Sequence, residues 1–326
     1  MTRHGVAVAR SLCLAAALAW PAWAAAQAFP TKPIRLVVPY APGAITDIAA
    51  RITAERMSQQ LGQQVIVDNR GGAGTRIGMQ FVATAPADGY TLLFANAITH
   101  GTMPAMARSL PFDPLKDFAP VAPLYWYANV FVCNAQTPAD TIPELIAYAK
   151  KNPGKLTNAT AGPGSGHDLI GELFKTSTGV DILHVHYKGG GPALQDVLAG
   201  NVNCIYGDGA AKPHVDAGRL KALATAGPEP DPLFPKAPTM TSAGVKGFPV
   251  PIWQGIVAPA GTPPEVIARL NAAANEALRS PELQKRTQEL NLHIDGGPPE
   301  KIGREMRDSM ALFAKVVKDA KIQPQD

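Results

Sequence analysis

The residues best suited to chemistry fall in a few Gly-rich stretches and one pair of histidines. Ser165 sits in "GPGSGHD", whose outline suggests a nucleophile elbow. An elbow needs glycine two residues to either side of the serine, and Pro163 and His167 hold those places. Ser165 and Asp168 stand instead at capping-box spacing ahead of the apolar "LIGELF", so a helix cap accounts for both. His184 and His186 in "LHVHYK" point to one face of a strand, which is how a two-ligand metal site begins. No Cys, Asp or Glu joins them at metal-binding spacing, so they read as structural or surface histidines and no metal is expected. In "GGAGTRIG", Gly72, Gly74 and Gly78 are spaced one residue longer than a dinucleotide fingerprint, and no acid follows at the right distance. That stretch fits a loop approaching an anion or the opposite lobe, or a plain turn.

A different chemistry is written in "LVVPYAPGAITD", Leu36 to Asp47. An apolar strand ends at Pro39 and Pro42, which cannot extend a ladder, and Gly43 supplies backbone freedom. Thr46 or a neighbour caps the next helix, whose first amides have no internal acceptor. Such amides at the positive end of a helix make a carboxylate cradle, which holds an anion without transforming it. The plainer alternative is that water and Thr46 satisfy these amides alone.

The elements that must carry these loops alternate. "PIRLVVPY" reads as a strand and "TDIAARITAERMSQQLG" as a helix, with Ala50, Ala54, Met57 and Leu61 at helical spacing and Gly62 as its stop. "QVIVDN" and "YTLLFAN" are further strands, with a helical piece in "GMQFVATA" between them. Gly101 to Pro123, with five prolines, reads as a wandering connection. Four or five βα units follow, from "NVFVCN" to "RLKALATAG". Thr141 with Glu144 and Thr262 with Glu265 have capping-box spacing, and a last amphipathic helix spans about 299–320. This alternation predicts α/β layers with largely parallel sheets. No fixed-period repeat is apparent. A chain of 326 residues is comfortable for two lobes. We divide it discontinuously, residues 29–128 with 252–326 as lobe one and 129–251 as lobe two, the Pro-rich segment 227–251 serving as a crossover.

The N-terminus reads as a secretory address. Arg3 and Arg10 precede a short apolar stretch and "AWAAAQA", a small-residue cleavage site; cleavage after Ala26 or Ala28 fits, and we take residues 1–28 as the signal peptide. Its removal takes away two arginines and no acid, so the net charge falls from +4 to +2. With no basic run and no basic-aromatic interleaving, nucleic acid is not an expected partner. Cys13 leaves with the signal. Cys133 and Cys204 remain, and an oxidising compartment allows a disulfide, while two buried thiols would fit the same strand-like runs.

Ordered matches along nearly the whole mature chain resemble the tripartite tricarboxylate transporter substrate-binding proteins, the Bug or TctC family. They include "FPTKPIRLVVPYAPGAITDIAAR", "VDNRGGAGTRIG", "DGYTLL", "LPFDPLKDFAPVA", "HVHYKGGGPALQDVLAGNV", "GRLKALA" and "GIVAPAGTPPEVIARLN". The resemblance implies a type II, Venus-flytrap periplasmic-binding-protein fold with a ligand cleft between the lobes. It implies no enzyme, no cofactor and a monomer that presents a small carboxylate-bearing solute to a membrane permease. Tyr40, Ala41, Gly43, Ala44, Thr46 and Asp47 would grip one carboxylate. Thr160, Gly162, Gly164, Ser165 and Gly166 would contribute from lobe two, Tyr187 and Gly189 would line the cleft, and Asp208 would face a ligand amine or hold water. Gly74, Thr75 and Arg76 occupy the family's second Gly-rich loop. The family usually has a second glycine at Ala44 and at Thr75, a small or amide residue at Arg76, His at Asp168 and Pro at His186. These departures bear on the ligand rather than on the fold.

Two other readings compete. In one, an exported sensor docks its liganded lobes on a signalling receptor. In the other, an exported hydrolase uses Ser165 with a nearby histidine.

Overall fold

The computed structural model describes residues 29–43 and 45–324, so the signal-peptide assignment, Cys13 and Ala44 lie outside the described residues. The first half runs β1 (Ile34–Val38), α1 (Ile45–Leu61), β2 (Val65–Asn69), α2 (Arg76–Ala83), β3 (Thr91–Asn96), α3 (Met103–Met106), β4 (Phe118–Tyr127). Then come β5 (Val130–Asn134), α4 (Ile142–Lys151), β6 (Leu156–Thr160), α5 (Gly166–Thr178), β7 (Ile182–His186), α6 (Gly190–Ala199), β8 (Cys204–Gly207), α7 (Lys212–Asp216) and β9 (Leu220–Thr225). The chain closes with β10 (Ile252–Pro259), α8 (Pro264–Leu278), α9 (Pro281–Glu289), β11 (His293–Ile294) and α10 (Pro299–Asp319).

Among the described residues these strands form two sheets. One has six strands in the order β11-β4-β10-β3-β1-β2, the other five in the order β7-β6-β8-β5-β9. β1 is parallel to both β2 and β3, and β6 to both β7 and β8, but β10 runs antiparallel to β3 and β4, β11 to β4, and β5 to β8 and β9. The sheets are therefore mixed rather than largely parallel as expected, because β5 and β10, the strands that follow the two crossings, enter their sheets reversed. Alternation explains the layers. Leu36 and Val38 of β1 pack with α1 and α8, while Val37 packs on the opposite face with Met79 and Val82 of α2. In the second sheet Phe131 and Cys133 face α5, and Val130 and Val132 face α6. Cys133 and Cys204 are directly opposed on β5 and β8, fully buried, and joined as a disulfide.

The chain crosses between the sheets at 128–129 and again at 226–251. The two crossings are tied together: the Ala226 amide donates to the Asn129 carbonyl at 2.8 Å, and the Val250 amide to the Ala226 carbonyl at 2.8 Å. One hydrophobic cluster is continuous across both lobes, from Val37 and Leu93 through Met106, Phe313 and Trp253 to Phe131 and Phe174.

Local signals held unevenly. Thr141 caps α4, accepting from the Glu144 amide at 3.3 Å. Thr262 does not cap α8, because its hydroxyl donates to the Pro259 carbonyl at 2.7 Å and Pro263 takes the cap position. The proline-rich connection ends in β4, which contains Pro120 and Pro123. Prolines cannot donate to a ladder, and the register with β10 shifts at the places opposite both of them.

Glu305, on α10, buries Oε2 without a partner among the described residues. Burial, then the neighbouring Asp295 carboxylate, pushes its pKa up to about 7 despite Lys301 and Arg304. The folded state therefore holds a proton that the unfolded chain has released, and stability falls as pH rises from about 4.5 to 7. Glu305→Gln should match the parent near pH 5 and exceed it at pH 8, on the order of 1–2 kcal/mol after allowance for solvent screening. Urea denaturation at the two pH values checks this, and a variant less stable at both would contradict it.

Candidate functional site

In both lobes the site loops leave the C-terminal ends of parallel strands, where ligands of open α/β sheets bind. Loop 39–43 follows β1, loop 70–75 follows β2, and loop 161–165 follows β6. The first and third are built alike. Pro42-Gly43 stands four residues before Asp47, as Pro163-Gly164 stands four before Asp168. The Gly43 amide donates to Asp47 Oδ2 at 2.8 Å, and the Gly164 amide to Asp168 Oδ2 at 2.8 Å. The other oxygen of each aspartate turns to the neighbouring strand. Asn69 of β2 donates to Asp47 Oδ1 at 2.8 Å, and His184 Nδ1 of β7 lies 2.9 Å from Asp168 Oδ1. Each turn is thus braced from its own helix and from the next strand.

Burial alone would raise the Asp47 pKa, but Arg51, the Gly43 amide and Asn69 outweigh it and hold the carboxyl below its ordinary range. Asp168 is likewise lowered, burial being outweighed by His184 and the Gly164 amide. Both are carboxylates at neutral pH, and both are buried. Asp47 therefore spends both oxygens on the protein itself.

The remaining candidates sort by position. Tyr40 donates its hydroxyl to Asn96 Oδ1 at 3.0 Å, and its carbonyl accepts from Asn69 Nδ2 at 3.1 Å. Ala41 is exposed, while Thr46 is buried and accepts from Gln254 Nε2 at 3.4 Å. Thr160 Oγ1 lies 2.8 Å from His186 Nδ1. Ser165 caps α5, accepting from the Asp168 amide at 3.3 Å, as its spacing predicts. Gly166 opens that helix, so its amide has no intrahelical acceptor. Tyr187 turns its hydroxyl to Asp196, and Gly189 is the N-cap of α6. Asp208 is exposed and caps the turn after β8.

The second Gly-rich loop lies against the first. A Cβ at Gly78 would come within 2.9 Å of both the Arg70 carbonyl oxygen and Pro39 Cβ, which explains that glycine. Four successive residues have positive φ: Gly72 (123°), Ala73 (46°), Gly74 (61°) and Thr75 (84°). A β-branched residue there stores strain, which the surrounding structure must impose.

Of the gaps that open between the lobes, two are lined by candidate residues. One, of about 290 Å³, brings Gly74, Thr75 and Arg76 to Gly162, Gly164 and Ser165, with Ile98, Met103 and Met106 as apolar wall. The other, of about 280 Å³, joins Ile45 and Tyr127 to Asp208 and Asn291. Tyr187 and Gly189 line neither of these two. Sequence reasoning missed the bracing roles of Asn69, Asp168 and His184 and the wall residues Ile98, Met103 and Met106. A signal for the aspartate of each brace was present in the repeated Pro-Gly-x-x-x-Asp spacing, but none pointed to Asn69 or His184.

Two α/β halves, with loops at strand C-terminal ends facing a shared gap, define a two-lobed periplasmic-binding-protein fold. A family described as the tripartite tricarboxylate transporter family receptor (TctC) matches residues 49–319, and the chain belongs to it. The protein BugT of Bordetella pertussis (strain Tohama I) is 39% identical over 261 residues, 78% of this chain and 79% of that one. Among solved structures, R. palustris Rpa4515 with adipate aligns with a TM-score of 0.77 at 35% identity, covering 91% of this chain and 100% of that one. MatC (Rpa3494) from Rhodopseudomonas palustris with bound malate aligns with a TM-score of 0.74 at 33% identity, covering 89% of this chain and 100% of that one. The protein is accordingly a solute-binding protein of the Bug/TctC type.

Proposed function

We propose that this protein is exported by its N-terminal signal and captures a small carboxylate-bearing solute between residues 29–128 with 252–326 and residues 129–251. It then delivers the solute to a tripartite tricarboxylate-type permease. The observation that carries this reading is the pair of matched, aspartate-braced strand-to-helix loops, one on each lobe. Amides at such junctions attract a carboxylate. Neighbours that hold adipate and malate support the class. A ligand bonded to both lobes shifts the population towards closure, which presents the permease with a surface the open form lacks. No bond is made or broken in this cycle. Both lobes come from one chain, so a monomer suffices.

A thermal-shift screen of mono-, di- and tricarboxylates tests the reading. A true ligand at a hundredfold excess over Kd should stabilise the fold by about 2.7 kcal/mol. Silence across such a panel with well-folded protein would overturn it. Thr46→Ala should weaken the best ligand by about 1.5–3 kcal/mol, the worth of a hydrogen bond to a charged group. Unchanged affinity with intact fold would remove Thr46 from the cradle.

A further inference from the structure

We propose that Arg76 forms a second anion subsite and selects ligands that carry two acid groups separated by an apolar segment. This inference rests on the receptor reading and deepens it.

Arg76 buries its Nε–H without a hydrogen-bond partner, and no ion pair to its guanidinium is present among the described residues. A buried guanidinium donor left unpaired is costly, because water has been removed and nothing has replaced it. The gap that Arg76 lines contains no acidic residue among its lining positions and no other charged one. Its own protein therefore offers this cation no counter-charge there. Ile98, Met103 and Met106 wall the same gap, and the Gly162–Ser165 loop closes it from the opposite lobe. The lobes are already close at this point, since a Cβ on Gly164 would lie 2.8 Å from Met106 Cε. The run of positive φ values from Gly72 to Thr75 ends immediately before Arg76, so the strained turn fixes where its side chain starts. A planar guanidinium pairs with carboxylate in a bidentate fork that a simple amide cannot reproduce. The chemistry of the gap is thus one fixed cation beside hydrocarbon, the complement of a two-headed acid whose first carboxylate sits on the braced loops.

The test is isothermal titration of the purified protein with chain-matched pairs, adipate against hexanoate and suberate against octanoate. In the parent at least one diacid should bind tenfold or more tightly than its monoacid. In Arg76→Gln that preference should fall below threefold, and Arg76→Lys should keep part of it. Melting temperatures within about two degrees of the parent would show that both variants are folded. A diacid preference that survives Arg76→Gln overturns the subsite while leaving the receptor reading intact. Equal affinity for mono- and diacids in the parent does the same. If none of the four acids binds any of the three proteins, the subsite is overturned, and the receptor reading stands or falls on the wider thermal-shift panel.

Discussion

Replacing Asp47 with alanine is expected to destabilise the protein by about 2–4 kcal/mol at neutral pH and to weaken ligand binding at least tenfold. The side chain is buried and receives Gly43, Asn69 and Arg51. Its removal leaves one backbone and one side-chain donor facing a void, while Arg51, half exposed, can turn to water. Loop 39–43 then loses the contact that holds its Gly43 amide. Asp47→Asn keeps the shape but not the charge, so roughly half the loss is expected. The pH dependence has a definite sign. The folded-state pKa is depressed, so the stabilisation is present above the unfolded value near 4 and is lost as pH falls through the folded one. The gap between parent and alanine variant should therefore narrow in acid. Chemical denaturation at pH 7 and at pH 3 measures it, and a loss under about 0.5 kcal/mol at neutral pH would show that the brace does not hold the loop.

The second large effect concerns the bridge between Cys133 and Cys204. It links residues 71 apart, and closing a loop of that size in the unfolded chain is worth about 4 kcal/mol in the chain-entropy account, with measured values commonly 2–5. The double variant Cys133→Ala with Cys204→Ala should lose stability in that range and keep its ligand, because neither cysteine lines either interlobe gap. Both sulfurs are fully buried, so a mild reductant should leave the native parent unchanged and act only once it unfolds. Equal denaturation midpoints for the parent and the double variant would contradict this account.

What could be read from the chain was what neighbours in sequence decide. The apolar run Leu36–Val38 marks a strand buried on both faces, and Ala50, Ala54, Met57 and Leu61 mark the inward stripe of α1. Thr141 and Ser165 cap helices at the spacing that announces them. What stayed hidden depends on contacts between distant residues. β4 is disguised by its prolines, which are tolerated because irregularities in the pairing with β10 accommodate them. Asn69 and His184 lie 22 and 16 residues from the aspartates they meet, and only the parallel order of the strands makes them neighbours. Arg76 was visible as an unusual residue in a Gly-rich loop. That its guanidinium is left without an internal counter-charge is a property of the folded lobes alone.

The ties between the two crossing segments have a mechanical consequence. Chains fastened side by side by the Ala226–Asn129 and Val250–Ala226 bonds bend as a ribbon, compliant about one axis and stiff about the others. In the closure proposed above, the halves would then behave like the covers of a book on a sewn spine, free to swing but not to slew sideways. Facing pages would meet line for line on every such closing, and a solute spanning them would be judged each time against the same alignment.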